Sequence, residues 1–98
     1  MDNQEARDLL YRELARYRSQ TYLQLQGFLN TEDKSEIAGP SGTVYQIEIQ
    51  VFLDSPGGGD IRVMAAIDDK GWRAFMPLCR DFIMAPDGRF VGEPPTGT

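Results

Sequence analysis

Ninety-eight residues, 41% hydrophobic and 26% charged, suffice for one small domain and exclude two of ordinary size or a disordered chain. A net charge of −5 disfavours nonspecific binding to nucleic acid or to anionic lipid, and no apolar run approaches the ~18 residues of a membrane span. Histidine is absent, which removes most general-base chemistry and most metal sites, and the lone cysteine, Cys79, can form no internal disulfide.

Residues 2–29 predict one long helix. Asp2 and Glu5 give a capping-box-like start, and Leu10, Leu14, Tyr17, Thr21, Leu25 and Phe28 recur at spacings of three and four, as one helix face requires. Arg7, Arg12 and Arg16 lie mostly away from that face. The helix ends either at Gly27, as a left-handed cap with Phe28 folded back on Leu23, or at Asn30.

Residues 30–42 read as a linker, polar from Asn30 to Glu36 and rich in turn residues at Gly39-Pro40-Ser41-Gly42, with Ile37 as an apolar pin. The charge excess concentrates here and just beyond. Glu32, Asp33, Glu36, Glu48, Asp54 and Asp60 stand against Lys34 alone, while the segments on either side balance. Such a segment is read first as a solvated loop, with an acidic edge for a basic partner as the functional alternative.

At Thr43 the period changes to two. Tyr45, Ile47, Ile49, Val51 and Leu53 alternate with Gln46, Glu48, Gln50 and Phe52, which predicts an amphipathic strand over 43–54. A glycine loop follows at 55–59, then a second strand over 60–68 with Ile61, Val63, Ala65 and Ile67 on one face. A tight turn at Asp69-Lys70-Gly71, a third strand over 72–77 and a short fourth over 82–85 complete the pattern. From Gly92 to Thr98 the chain reads as a flexible tail, too polar to pack.

The fold class expected is therefore α+β, one N-terminal helix on one face of a four-stranded antiparallel meander. That order resembles the cystatin-like superfold in outline, and no function follows from the outline. The acidic, polar N-terminus is unlike a secretory signal peptide. With one cysteine, a reducing cytoplasm is the expected compartment.

The chemistry-bearing stretches are thin. Asp54-Ser-Pro-Gly-Gly-Gly-Asp60 is glycine-rich, but it lacks the lysine and Ser/Thr of a phosphate loop, and its aspartates would repel phosphate. It reads as a flexible hairpin loop whose glycines are replaceable. Asp54, Asp68, Asp69, Asp81 and Asp87 lack the spacing of a calcium loop. Cys79 precedes Arg80 but has no histidine base, and Ser41, Thr43 and Ser55 have no triad partner. The expectation is no catalytic residue, no cofactor and no metal.

The even-numbered face of the sheet carries the functional expectation. Hairpin register places Glu48, Ala66 and Arg73 in one row, Gln50, Met64 and Phe75 in the next, and Phe52, Arg62 and Pro77 in a third. Phe52, Met64 and Phe75 then form an apolar patch with Glu48 and Arg73 at its margin. This is a surface for a protein partner or for a homodimer. The alternative is a small-ligand pocket between helix and sheet near Tyr22, Trp72 and Phe82.

Overall fold

The computed structural model describes residues 3–69 and 77–94. The chain runs α1 (Asn3–Arg18), α2 (Tyr22–Gln26), β1 (Thr31–Ala38), β2 (Val44–Leu53), β3 (Ile61–Asp68) and β4 (Leu78–Met84). The strands form one antiparallel sheet in the order β1-β2-β3-β4, with the helices on one face. The fold is α+β, with a long N-terminal helix against a four-stranded antiparallel sheet.

The predicted single helix is broken after Arg18. Ser19 Oγ and Gln20 Nε2 both donate to Arg16 O, capturing a carbonyl that a continuing helix would use. Thr21 then starts afresh. It is extended (φ −77°, ψ 163°), its hydroxyl accepts from Gln24 N, and Gln24 Oε1 accepts from Thr21 N, a reciprocal capping box. Leu25 reaches the core from α2, so the period-3.6 pattern survives the break. Gly27 is right-handed (φ −66°), contrary to the expected left-handed cap. The left-handed residue is Asn30 (φ 65°), whose N–H reaches Val51 O at 2.7 Å while Thr31 is the ladder partner of Val51. Two residues thus oppose one, a bulge that turns the chain into β1.

β1 occupies what reads in sequence as a linker. All its residues except Ile37 are exposed, so no period-two apolar signal marks it, and its pairing with β2 alone holds it as a strand. Ile37 packs against the core, as expected of the pin.

β2 and β3 follow their prediction closely. Tyr45, Ile47, Ile49, Val51, Ile61, Val63, Ala65 and Ile67 are all buried, with Leu9, Leu10, Leu14 and Leu25 above them. The register pairs Glu48 with Ala66, Gln50 with Met64 and Phe52 with Arg62, as expected. α1 lies chiefly over β3 and β4.

The other side of β3 corrects the sequence reading. The strand expected over 72–77 falls almost wholly outside the described residues, and Pro77 stands just before β4. β4 begins at Leu78, not at 82, and pairs directly with β3 through Ala66–Cys79, Met64–Asp81 and Arg62–Ile83. The rows joining Ala66 to Arg73, Met64 to Phe75 and Arg62 to Pro77 are overturned. The reason is that β3 pairs with β2 on one side and with β4 on the other; of the turn expected at 69–71, Lys70 and Gly71 lie outside the described residues. After β4 the turn at Pro86-Asp87-Gly88 returns the chain, and Val91 N donates to Ile83 O at 2.8 Å. The tail expected from Gly92 is tied down at its start, since Glu93 takes both Nη groups of Arg18 at 2.9 Å.

Candidate functional site

Strand alternation sends the even residues of β2 and β3 to the face opposite the helices. Across the sheet the rows are Lys34–Glu48–Ala66–Cys79, then Glu32–Gln50–Met64–Asp81, then Phe52–Arg62–Ile83. Phe52, Arg62, Met64 and Ile83 are each half-buried. Of the expected patch, Phe52 and Met64 are diagonal neighbours on β2 and β3, and Glu48 lies on the same face. Phe75 and Arg73 lie outside the described residues. Ile83 stands in the row with Phe52. Sequence reading missed it because the β3–β4 register was unknown, and no local signal in Leu-Cys-Arg-Asp-Phe-Ile-Met supplies it.

Arg62 organises this end of the face. Its Nη2 lies 2.7 Å from Asp54 Oδ1 and its Nε donates to the same oxygen at 2.9 Å, while Nη1 pairs with Asp81 Oδ2. The guanidinium therefore bridges from the end of β2 across β3 to β4, with Phe52 and Ile83 beside it in its row. The hydrogen bond to Asp54, and then the nearby carboxylates, hold its pKa above the usual arginine value. Further along the face, Gln50 Nε2 donates to Glu48 Oε1 at 2.8 Å. The arrangement has apolar side chains around a charge-paired arginine, with amide and carboxylate groups at the margin. Among protein interfaces, central apolar anchors with arginine and a polar rim recur in this form.

A second concavity opens at the elbow between α1 and α2. It is a groove of about 560 Å³ whose walls include Tyr22, Leu23, Gln26, Pro86 and Phe90. Leu23, 76% exposed, stands at it. The Arg18 guanidinium sits 3.9 Å from the Phe90 ring centre and 5.4 Å from that of Phe82, and its bond to Glu93 raises its pKa while lowering that of Glu93. Arg18 is thus spent on holding the chain's return segment. Tyr22 lines the groove and donates its hydroxyl to Gly59 O at 2.5 Å. Of the aromatic trio expected of a pocket, Tyr22 lines this groove, Phe82 is buried in the core, and Trp72 lies outside the described residues.

Among the described residues, no group of three or more Cys, Asp or Glu side chains is placed to hold a metal ion. Among them too, no helix is long and apolar enough to cross a membrane. Cys79 is exposed on the outer face. Comparison with protein-family models, with curated proteins and with solved structures gives no match. The cystatin-like outline is accordingly not confirmed.

Proposed function

We propose that this chain is a non-catalytic protein-interaction domain that offers the outer face of its sheet to another protein. The observation that carries the reading is the placement of Phe52, Met64 and Ile83, half-buried around the Arg62 ion network on a face that neither helix covers. Folding does not require them there, because the opposite face already buries an unbroken core. A fixed guanidinium among apolar side chains supports a pre-organised contact, since little side-chain freedom is left to lose on binding.

The test compares bait proteins. Wild-type protein and a Phe52→Glu/Met64→Glu variant are checked for equal secondary structure, then used to capture partners from the native source. A protein retained by the wild type and lost with the variant supports the reading. Identical capture by both would overturn it.

A further inference from the structure

We propose that two copies of this chain join edge to edge through β1, antiparallel about Ser35, to make one continuous sheet. The inference goes beyond the outer-face reading and does not rest on it. β1 is the margin of the sheet, and among the described residues no strand lies beyond it. It adds little to the core, since only Ile37 is even partly buried, and it is rich in residues that strands usually avoid. What it offers is a regular backbone edge. The other margin is partly closed, because the chain returns along β4 and Val91 N donates to Ile83 O.

The ladder fixes which backbone groups face outward. Gly39 N donates to Thr43 O at 2.9 Å, and Ala38 is the partner of Val44. Bonded and non-bonded pairs alternate along an antiparallel ladder. Asp33, Ser35 and Ile37 therefore turn their N–H and C=O groups toward β2, and Glu32, Lys34, Glu36 and Ala38 turn theirs to the open edge. A second antiparallel β1 can bond only where these outward residues meet one another.

Charge then selects one twofold register. Centred on Lys34, the pairing sets lysine against lysine and Glu32 against Glu36 of the partner subunit. Centred on Asp33, it sets Asp33 against Asp33 of the partner subunit. Centred on Ser35, it places Lys34 opposite Glu36 of the partner subunit, and Glu36 opposite the partner's Lys34. Glu32 then faces the partner's Ala38, Asp33 faces the partner's Ile37, and Ser35 meets its own copy on the axis. No like charges lie directly opposite, and two lysine–glutamate pairs form. In the single chain Lys34 Nζ already lies 3.3 Å from Glu32 Oε1, on the outer face where the new pairs would form. Charged edge strands ordinarily repel other strands. Here the same charges guard the edge against foreign strands and admit a second copy in one register. The twofold axis runs normal to the sheet, so both sets of helices lie on the same side and both outer faces on the other.

Sedimentation equilibrium on the full 98-residue chain, from about 10 to 500 μM, tests this because association follows mass action. The wild type is expected to dimerise within that range, and less so as salt screens the ion pairs. Lys34→Glu and Glu36→Lys each oppose like charges at both pairs, and each should weaken the dimer by about tenfold or more. An equimolar mixture of the two variants, one of them isotope-labelled, should recover a mixed dimer, because both cross-strand pairs are again opposite in sign. A structural role for either residue would not produce that rescue. A wild type that stays monomeric at the highest concentration overturns the proposal. So does a mixture no more associated than the separate variants, or a dimer lost with Met64→Glu but unaffected by Lys34→Glu.

Discussion

Ile49 stands in the middle of β2, 4% exposed, with Asp33 and Ala65 as its ladder neighbours on β1 and β3. Ile49→Ala deletes three carbons. At roughly 0.8 kcal/mol for each buried carbon the transfer loss is about 2.4 kcal/mol, and a partly unrelaxed cavity raises the total to about 3 kcal/mol. Relaxation is limited because β2 is paired on both sides and cannot shift inward without breaking two ladders. For a domain of this size each kcal/mol lowers Tm by roughly 4–8 °C, so a fall of roughly 12–24 °C is expected. Urea unfolding followed by far-ultraviolet circular dichroism should show a lower midpoint with an unchanged slope. Gln50→Ala, one residue along on the outer face, is the control and should shift stability by less than about 0.5 kcal/mol. If the two substitutions cost the same, the assignment of the odd face to the core is wrong, and the outer-face argument fails with it.

Three further predictions concern the joints of the fold. Glu5 accepts from Ser41 N (2.9 Å), Ser41 Oγ (2.7 Å) and Tyr45 Oη (2.7 Å), and these bonds, Ser41 Oγ first, hold its pKa below the ordinary 4.5. A depressed carboxylate stabilises the fold above its unfolded pKa and loses that contribution as pH falls through its folded pKa. The Tm gap between wild type and Glu5→Gln should therefore be full at neutral pH and shrink below pH 4.5; a gap that widens on acidification would refute the clasp. In the loop before β3, Gly57 has φ +76°, whereas a Cβ at Gly58 would meet only the movable Ser55 hydroxyl and a carbonyl at ordinary contact distance. Gly57→Ala should cost about 1 kcal/mol and Gly58→Ala much less, read as urea midpoints, and equal effects would mean that the loop conformation is not fixed. Arg18→Gln should speed amide exchange of Val91, whose N–H bonds Ile83 O, and leave exchange in β2 unchanged, whereas unaltered exchange at Val91 would show that the Arg18–Glu93 bond does not hold the return segment.

The parts of the fold legible in the sequence are those that bury one face and wet the other. Ile47, Ile49 and Val51 alternate with Gln46, Glu48, Gln50 and Phe52, which are only half-buried, so β2, β3 and their register could be read without coordinates. β1 could not, because Glu32, Asp33, Lys34, Ser35 and Glu36 are exposed whichever face they take, and only the partner strand makes them a strand. The break at Ser19–Thr21 was written locally, as Thr21 and Gln24 in capping-box spacing. It was masked by Leu25 and Phe28 continuing the helical spacing. On the outer face, Phe52 and Met64 follow from alternation alone. Ile83 required the β3–β4 pairing, which depends on the length of a connection rather than on any residue pattern. The loop at 55–59 read as replaceable because glycines alone carry no packing signal. In the structure Gly59 lies under Pro86 and beside Tyr22, where a Cβ would come within 2.9 Å of Pro86 Cγ.

The central claim, that the outer face exists for another protein, is tested most directly by methionine oxidation. Met64 is half-exposed on that face and Met84 is buried at 3%, so one chain carries both the probe and its reference. A pulse of dilute peroxide is applied to the isolated protein and to the protein in its native extract, and each methionine is quantified by mass spectrometry. The account predicts that Met64 oxidises more slowly in the extract while Met84 is slow in both. Equal oxidation of Met64 under the two conditions, normalised to an added exposed-methionine peptide, would contradict it.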